Sequence, residues 1–265
     1  MLIWFLSMLI VVYSGYHVAY IFFQRKFIFR PQKLPSDFKF TCHAPLKEIN
    51  LRSEDGENLN AVFISQDPGK EIILYFHGNM HHLQQYLPYT IKFTELGYSI
   101  LMPDYRGFGK STGELTEKKF YEDALLMYDW LKKSFPDQRI IVYGRSLGTG
   151  AGAYVAAHRD CTQLILEAPY YNMYDVSRSY GLMLPTGKYL PFGLRTDLLL
   201  KEVKCPITII HGMADTIVPL SSSKKLKWLL KKGDQFFEIQ KGTHNNMEQL
   251  PDYHQAMENV IGRKD

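Results

Sequence analysis

The sequence predicts an α/β domain: a mainly parallel sheet covered by helices on both faces, with an antiparallel hairpin at its first edge and an apolar helix at the N terminus. Three observations carry this. Short apolar runs at residues 72–76, 98–102, 139–143, 164–166, 207–210 and 236–239 alternate with helix-periodic stretches at 83–96, 117–134, 147–158, 221–232 and 247–261. Several runs are apolar at consecutive positions, the pattern of strands buried on both faces. Ahead of them, 46–52 and 59–65 alternate apolar and polar residues around Asp55-Gly56, a hairpin signature. Alternation of strands and helices at this length implies parallel pairing through right-handed crossovers.

The N-terminal segment comes first in the chain. Residues 1–23 contain no Lys, Arg, Asp or Glu. As a helix they would span roughly 35 Å, against about 30 Å of bilayer hydrocarbon. Residues 1–24 are therefore expected to be a single-pass membrane anchor. A cleaved signal peptide fits poorly: no basic residue precedes the run, the run is long, and no small-x-small site follows. His17, Tyr13, Tyr16 and Tyr20 leave an interfacial lie open as the alternative. Arg25, Lys26, Arg30 and Lys33 follow at once, which predicts a catalytic body on the cytoplasmic side. Residues 25–45, with Pro31, Pro35 and Pro45, read as a juxtamembrane connector.

The remaining 46–265 suits one domain with a full core. Composition is ordinary, 46% hydrophobic and 22% charged, with a formal net charge of +4. The Lys224, Lys225, Lys227, Lys231 and Lys232 series is interleaved with Leu226, Trp228, Leu229 and Leu230. It reads as the solvated face of an amphipathic helix, so no nucleic-acid partner is expected. Cys42, Cys161 and Cys205 are widely spaced and odd in number, a pattern of neither a metal site nor a disulfide framework. Residues 170–203 interrupt the alternation with a stretch rich in Tyr, Leu, Pro and Gly, expected to be a lid insertion over the site.

The chemistry-bearing residues lie at predicted strand ends. Gly144-Arg145-Ser146-Leu147-Gly148 follows one strand and opens one helix. A serine on such a turn projects its hydroxyl above the sheet, and the helix start offers free N–H groups and a positive dipole end where an oxyanion forms. Alone, the five residues also fit a glycine-rich turn with a capping serine. A serine hydroxyl needs a general base oriented by a carboxylate. Three histidines follow beyond the serine's own helix. His211 ends a strand and is expected to be packed; His254 falls on a helix surface. His244, in Gly242-Thr243-His244-Asn245-Asn246, follows the last strand, and Asp215 follows the strand at 207–210. Sites in open α/β sheets form at the strands' carboxyl ends. Ser146, His244 and Asp215 are thus the candidate nucleophile, base and orienting acid.

His77-Gly78-Asn79-Met80 follows the strand at 72–76 and is expected to give an oxyanion hole through the Asn79 N–H, or else that of Met80, with the Leu147 N–H as second donor. His81 and His82 lie beyond, with no carboxylate or cysteine spaced to join them, so they are expected on the loop surface and no metal is predicted. The stretch from Asp104 to Ser111 looks like a phosphate loop, but Asp104 stands where that pattern requires glycine. It is read as a rigid loop held by Asp104 and Arg106.

Together these motifs resemble the α/β-hydrolase superfamily, from about Leu46 to the C terminus, and more loosely its small, N-terminally membrane-anchored Bem46-like group. The resemblance rests on His77-Gly78-Asn79, Asp104-Tyr105-Arg106-Gly107-Phe108-Gly109, Gly144-Arg145-Ser146-Leu147-Gly148, His211-Gly212 with Asp215 and Val218-Pro219, and Gly242 with His244-Asn245. Met80-His81-His82 departs from the small residues usual there. The cysteine cluster through which the anchored mammalian thioesterases of this group are lipidated is absent, so their substrate does not carry over. The resemblance implies hydrolysis of acyl esters or thioesters without cofactor or metal; a monomer is expected. Tyr170, Tyr171 and Leu184 of the insertion are expected to line an acyl pocket or lid suited to a lipid or lipidated protein, with a plain packing role as the alternative. A serine peptidase or aminopeptidase uses the same triad on the same fold. A catalytically silent membrane scaffold is the reading from another class, and it predicts a missing triad member.

Overall fold

In the computed structural model of the chain, residues 2–66, 71–180 and 190–261 are described. An eight-stranded sheet forms the centre. Its strands are β1 (Leu46–Arg52), β2 (Asn58–Ile64), β3 (Ile72–Phe76), β4 (Ser99–Pro103), β5 (Ile140–Arg145), β6 (Gln163–Glu167), β7 (Ile207–Gly212) and β8 (Gln235–Ile239). Their spatial order is β1-β2-β4-β3-β5-β6-β7-β8. β1 pairs antiparallel with β2, and β2 with β4. Every other pairing is parallel.

Strand periodicity splits the core in two. Leu74, Phe76, Val142, Leu164 and Ile209 point to one face, where α3 (Glu117–Ser134) and α4 (Gly148–His158) pack. Ile73, Tyr75, Ile141, Tyr143 and Ile165 point to the other, against α8 (Pro251–Ile261). Successive strand side chains face opposite ways. Consecutive apolar residues are therefore what a sheet covered on both sides requires. α3 starts at Thr116, whose side chain accepts from the Lys119 N–H. It buries the stripe Phe120, Ala124, Met127 and Leu131, one helix face at spacings of three and four.

Other helical stretches are shorter than their periodicity suggests. Residues 83–96 form two 3₁₀ turns, Leu83–Gln85 and Leu87–Thr90, before α2 (Ile91–Glu95). Pro88 lacks an N–H and cannot continue an α-helical ladder. Residues 221–232 divide into α7 (Leu220–Lys224) and a 3₁₀ turn, Lys225–Leu229. In 247–261 a 3₁₀ turn, Met247–Gln249, precedes Pro251, which opens α8. The insertion at 170–203 contributes α5 (Met173–Ser179) and α6 (Thr196–Leu199).

The N-terminal helix α1 (Leu2–Ile28) runs four residues past the expected anchor boundary. Its Ile3–Tyr20 window has a mean hydropathy of 1.4 and is long and apolar enough to cross a membrane. Residues 25–45 are packed rather than loose. Phe29 is buried against Phe120 and Phe192. Arg30–Pro31 pairs in parallel with Met80–His81. Two of the three cysteines, distant in sequence, meet at the base of the sheet, with Cys161 and Cys205 Sγ atoms 2.9 Å apart.

Candidate active site

Parallel strands bring their carboxyl ends to one edge, and each functional loop leaves from there. Ser146 directly follows β5 with a φ of 52°, a left-handed conformation that a non-glycine residue adopts only under constraint. The constraint is packing. A Cβ at Gly144 would lie 2.5 Å from the Gly148 carbonyl, and one at Gly148 only 2.1 Å from that of Phe76. Neither position has room for a side chain, so the elbow is held between β3 and α4. The Ser146 N–H donates to the Glu167 carbonyl at 2.8 Å.

The loops after β7 and β8 are pressed together by a second glycine pair. A Cβ at Gly212 would sit 2.3 Å from the Gly242 carbonyl oxygen, and the Ala214 N–H donates to that same oxygen at 2.8 Å. That close approach sets His244 beside Asp215. His244 Nδ1 is 2.7 Å from Asp215 Oδ2, and His244 Nε2 is 2.9 Å from Ser146 Oγ. The other Asp215 oxygen accepts the N–H groups of Ile217 and Val218 at 2.8 and 2.9 Å. Burial works against ionisation of Asp215, yet the hydrogen bond and charge of His244 and the Val218 N–H hold its pKa below the ordinary value. The carboxylate is thus charged and fixed in direction, which assigns the imidazole proton to Nδ1 and leaves Nε2 to accept from the serine.

His211 lies behind this set. It is fully buried, donates from Nε2 to the Val218 carbonyl at 2.8 Å, and has its pKa lowered by desolvation. His254 is exposed on α8. The loop after β3 is locked from below. His77 Nε2 is 3.1 Å from Asp104 Oδ1, which also accepts the Leu83 N–H at 2.7 Å, and the Tyr105 hydroxyl donates to the His77 carbonyl at 2.6 Å. Arg106 spans Asp55 and Asp123 with four hydrogen bonds of 2.7–2.9 Å. Asn79 and Leu147 line the same cavity as Ser146. The Met80 N–H faces the Tyr86 hydroxyl at 3.5 Å, and the Asn79 side chain donates to the Ile28 carbonyl at 2.8 Å.

Some expectations need correction. His82, expected on the surface with His81, is buried with its Nδ1 unpartnered; the Phe38 ring lies against it, centroids 6.2 Å apart. Tyr170 lines the cavity, its hydroxyl donating to the Leu147 carbonyl at 3.1 Å. Tyr171 is not among the lining residues; its ring faces the Lys225 ammonium. Leu184 lies outside the described residues. Among the described residues no cluster of three or more His, Cys, Asp or Glu could hold a metal ion.

Two features escaped the sequence. Arg145, the variable residue before Ser146, is buried. It donates from Nη2 to the His244 carbonyl at 3.1 Å, lies 3.3 Å from Glu167 Oε1, and packs on the Tyr89 ring. Glu167 Oε2 accepts the hydroxyls of Tyr143 and Tyr253. A charged residue directly after an apolar strand was the available signal. The second feature is the cavity itself, about 560 Å³, whose lining includes α1 residues alongside Ser146, with Arg30 the one charged residue among the described lining residues.

Comparisons with known proteins agree with this architecture. Residues 67–191 match the family model described as serine aminopeptidase, S33. The chain is 33% identical over 203 residues to human protein ABHD12B, covering 69% of this chain and 53% of that protein. It is 30% identical over 201 residues to the zebrafish lysophosphatidylserine lipase ABHD12, covering 66% and 50%. The chain therefore spans about half the length of these curated relatives. Among solved structures, a Pyrococcus furiosus esterase superposes with a TM-score of 0.72 at 18% identity, covering 88% of this chain and 96% of its own. An acylaminoacyl peptidase of Pyrococcus horikoshii superposes at 0.61 and 18% identity, over 82% of this chain and 40% of its own. Motifs, strand order and these likenesses together place the chain in the α/β-hydrolase superfamily.

Proposed function

We propose that the protein is a membrane-anchored serine hydrolase that cleaves acyl esters or thioesters through an acyl-enzyme. The observation that carries this is the continuous Ser146–His244–Asp215 hydrogen-bond chain at 2.9 and 2.7 Å on the mouth of a largely apolar cavity. In the first half-reaction Ser146 Oγ attacks the acyl carbon while its proton passes to His244 Nε2. Asp215 stabilises the imidazolium, and the proton then goes to the departing alcohol or thiol. Water adds to the acyl-enzyme by the same base, releasing the acid and restoring the serine. The Leu147 and Asn79 N–H groups serve the oxyanion, each such donor being typically worth ~10²–10³ in turnover. Asn79 is preferred to Met80 because the Met80 N–H already faces Tyr86.

The apolar lining, with Met173, Val176, Ile217 and Val218 around Tyr170, suits an acyl chain. The relatives named as a lipase and an esterase favour ester over peptide cleavage. A peptidase stays the second reading because the matched family model and one structural neighbour carry peptidase names. The basic run at Arg25, Lys26, Arg30 and Lys33 favours a catalytic body on the cytoplasmic face of the anchor.

Labelling with a fluorophosphonate, wild type against Ser146→Ala, followed by a panel of acyl esters and acyl-peptides, tests the assignment. Labelling of wild type alone, with ester turnover, is expected. No labelling removes the hydrolase reading; equal labelling of the variant removes Ser146; preference for acyl-peptides selects the peptidase.

A further inference from the structure

We propose that α1 is part of the substrate site as well as an anchor: its Tyr16, Ala19, Tyr20 and Phe23 form one wall of the acyl channel, and long-chain substrates reach Ser146 along that wall from the bilayer. This rests on Ser146 being the acyl nucleophile.

The wall is built from two facing helices. Tyr16, Ala19, Tyr20 and Phe23 all line the cavity, and their spacing of three, four and seven puts them on one stripe of α1. Met173, Val176, Ser177 and Tyr180 line it from α5 and its C-terminal cap at the same spacing. Ser146 and Leu147 line the same space. The two helical elements are joined rather than merely adjacent. The Tyr20 hydroxyl is 2.8 Å from Ser177 Oγ, and the buried Gln24 side chain makes two hydrogen bonds to the Phe192 backbone, at 3.1 and 3.2 Å. A helix tied this way keeps its face toward the cavity.

Its depth argues for the bilayer as the source. α1 has 27 residues, about 40 Å of helix against about 30 Å of hydrocarbon. With Ile3–Tyr20 as the apolar span, the channel residues fall at the end of the span, where Tyr side chains settle at the boundary between acyl chains and head groups. The rim continues this surface: Phe23 (50%), Tyr180 (56%), Ile217 (44%) and Met80 (39%) are exposed, apolar or aromatic, and line the same cavity. Such a clustered apolar rim on a protein marks contact with an apolar partner. Here the span beside it supplies that partner, the bilayer, and the wall can read acyl length because each methylene in an apolar pocket changes discrimination measurably.

The full chain is reconstituted in phosphatidylcholine vesicles and assayed with butyrate and palmitate esters of one chromogenic alcohol. Ala19→Trp, which fills the channel from the helix side, is expected to lower the palmitate-to-butyrate ratio of kcat/KM about tenfold. Phe23→Ala, which widens it, is expected to raise that ratio. Diluting the palmitate ester in the vesicle surface at fixed bulk concentration is expected to slow turnover in proportion. Ratios unmoved by both substitutions overturn the wall, and a rate that follows bulk rather than surface concentration overturns the bilayer route. Fluorophosphonate labelling of the same samples separates the two failures. Wild type that labels at Ser146 with an unmoved ratio removes only this inference, whereas wild type that does not label removes the hydrolase reading beneath it.

Discussion

Arg145 Nη2 donates to the backbone carbonyl of His244 at 3.1 Å. The residue before Ser146 therefore ties the end of β5 to the loop that carries His244. The guanidinium is buried and faces the equally buried Glu167. Burial costs it solvation, but the charge of Glu167 and the surrounding tyrosines hold it firmly protonated.

Arg145→Met is expected to lower kcat about tenfold to a hundredfold with little change in KM, because the imidazole loses its fixed position rather than its substrate contact. The single variant should also lose about 3 kcal/mol of stability, since Glu167 is left buried and without its main partner. Arg145→Met with Glu167→Gln should recover most of that stability but not the turnover. Denaturant melts beside steady-state kinetics check both parts; recovery of kcat in the double variant would reduce Arg145 to a packing role.

Ser146 is held at a φ of 52°. Replacing it with glycine removes the proposed nucleophile and the backbone strain together. Ser146→Gly should be inactive yet more stable than Ser146→Ala by about 1 kcal/mol, because glycine enters the left-handed region freely. Comparing thermal midpoints of the two inactive variants gives the answer.

Gly148 allows β3 and α4 to touch. A methyl there would meet the Phe76 carbonyl oxygen at 2.1 Å and that of His77 at 2.8 Å. Gly148→Ala should cost about 3 kcal/mol and push the His77–Asn79 turn off the nucleophile. Loss of fluorophosphonate labelling with retained far-ultraviolet circular dichroism is the expected pattern.

Lys92 is half-buried, donates to the Tyr253 hydroxyl, and has its pKa pulled down by desolvation to about 8, against the charge of Glu167 which raises it. Its ordinary value is 10.5. Between these values the unfolded chain binds a proton the native protein has released, so this group makes stability rise with pH. From pH 7 to 9.5 the gain is about 1–2 kcal/mol. Lys92→Met should lack it, so the difference in unfolding free energy between wild type and variant should shift in favour of wild type by that amount. A pH-independent difference would mean Lys92 keeps an ordinary pKa.

Much of the fold was legible because burial leaves a periodic trace. Ile72–Phe76 reads as a doubly covered strand for the same reason that it packs as one. The loops carrying Ser146, Asp215 and His244 were legible because parallel strands share one carboxyl edge. Helix length was less legible. Residues 83–96 keep an apolar period while Pro88 interrupts the ladder, and apolar spacing reports the buried face rather than the hydrogen-bond pattern. His82 was misplaced because its burial comes from Phe38, which approaches from 44 positions earlier in the chain.

By itself the sequence determined which strands are covered on both faces, the position of Ser146 between two glycines on a strand-to-helix turn, and the reach of an apolar helix able to cross a membrane, since each is written in the pattern of residues a few positions apart. Only the tertiary structure decided that Arg145 grips the His244 loop, that Cys161 and Cys205 meet, and that Tyr16, Ala19, Tyr20 and Phe23 share a cavity with Ser146. Those relationships join segments tens to more than a hundred residues apart. Local propensity carries no information about them until the sheet has set where each segment lies.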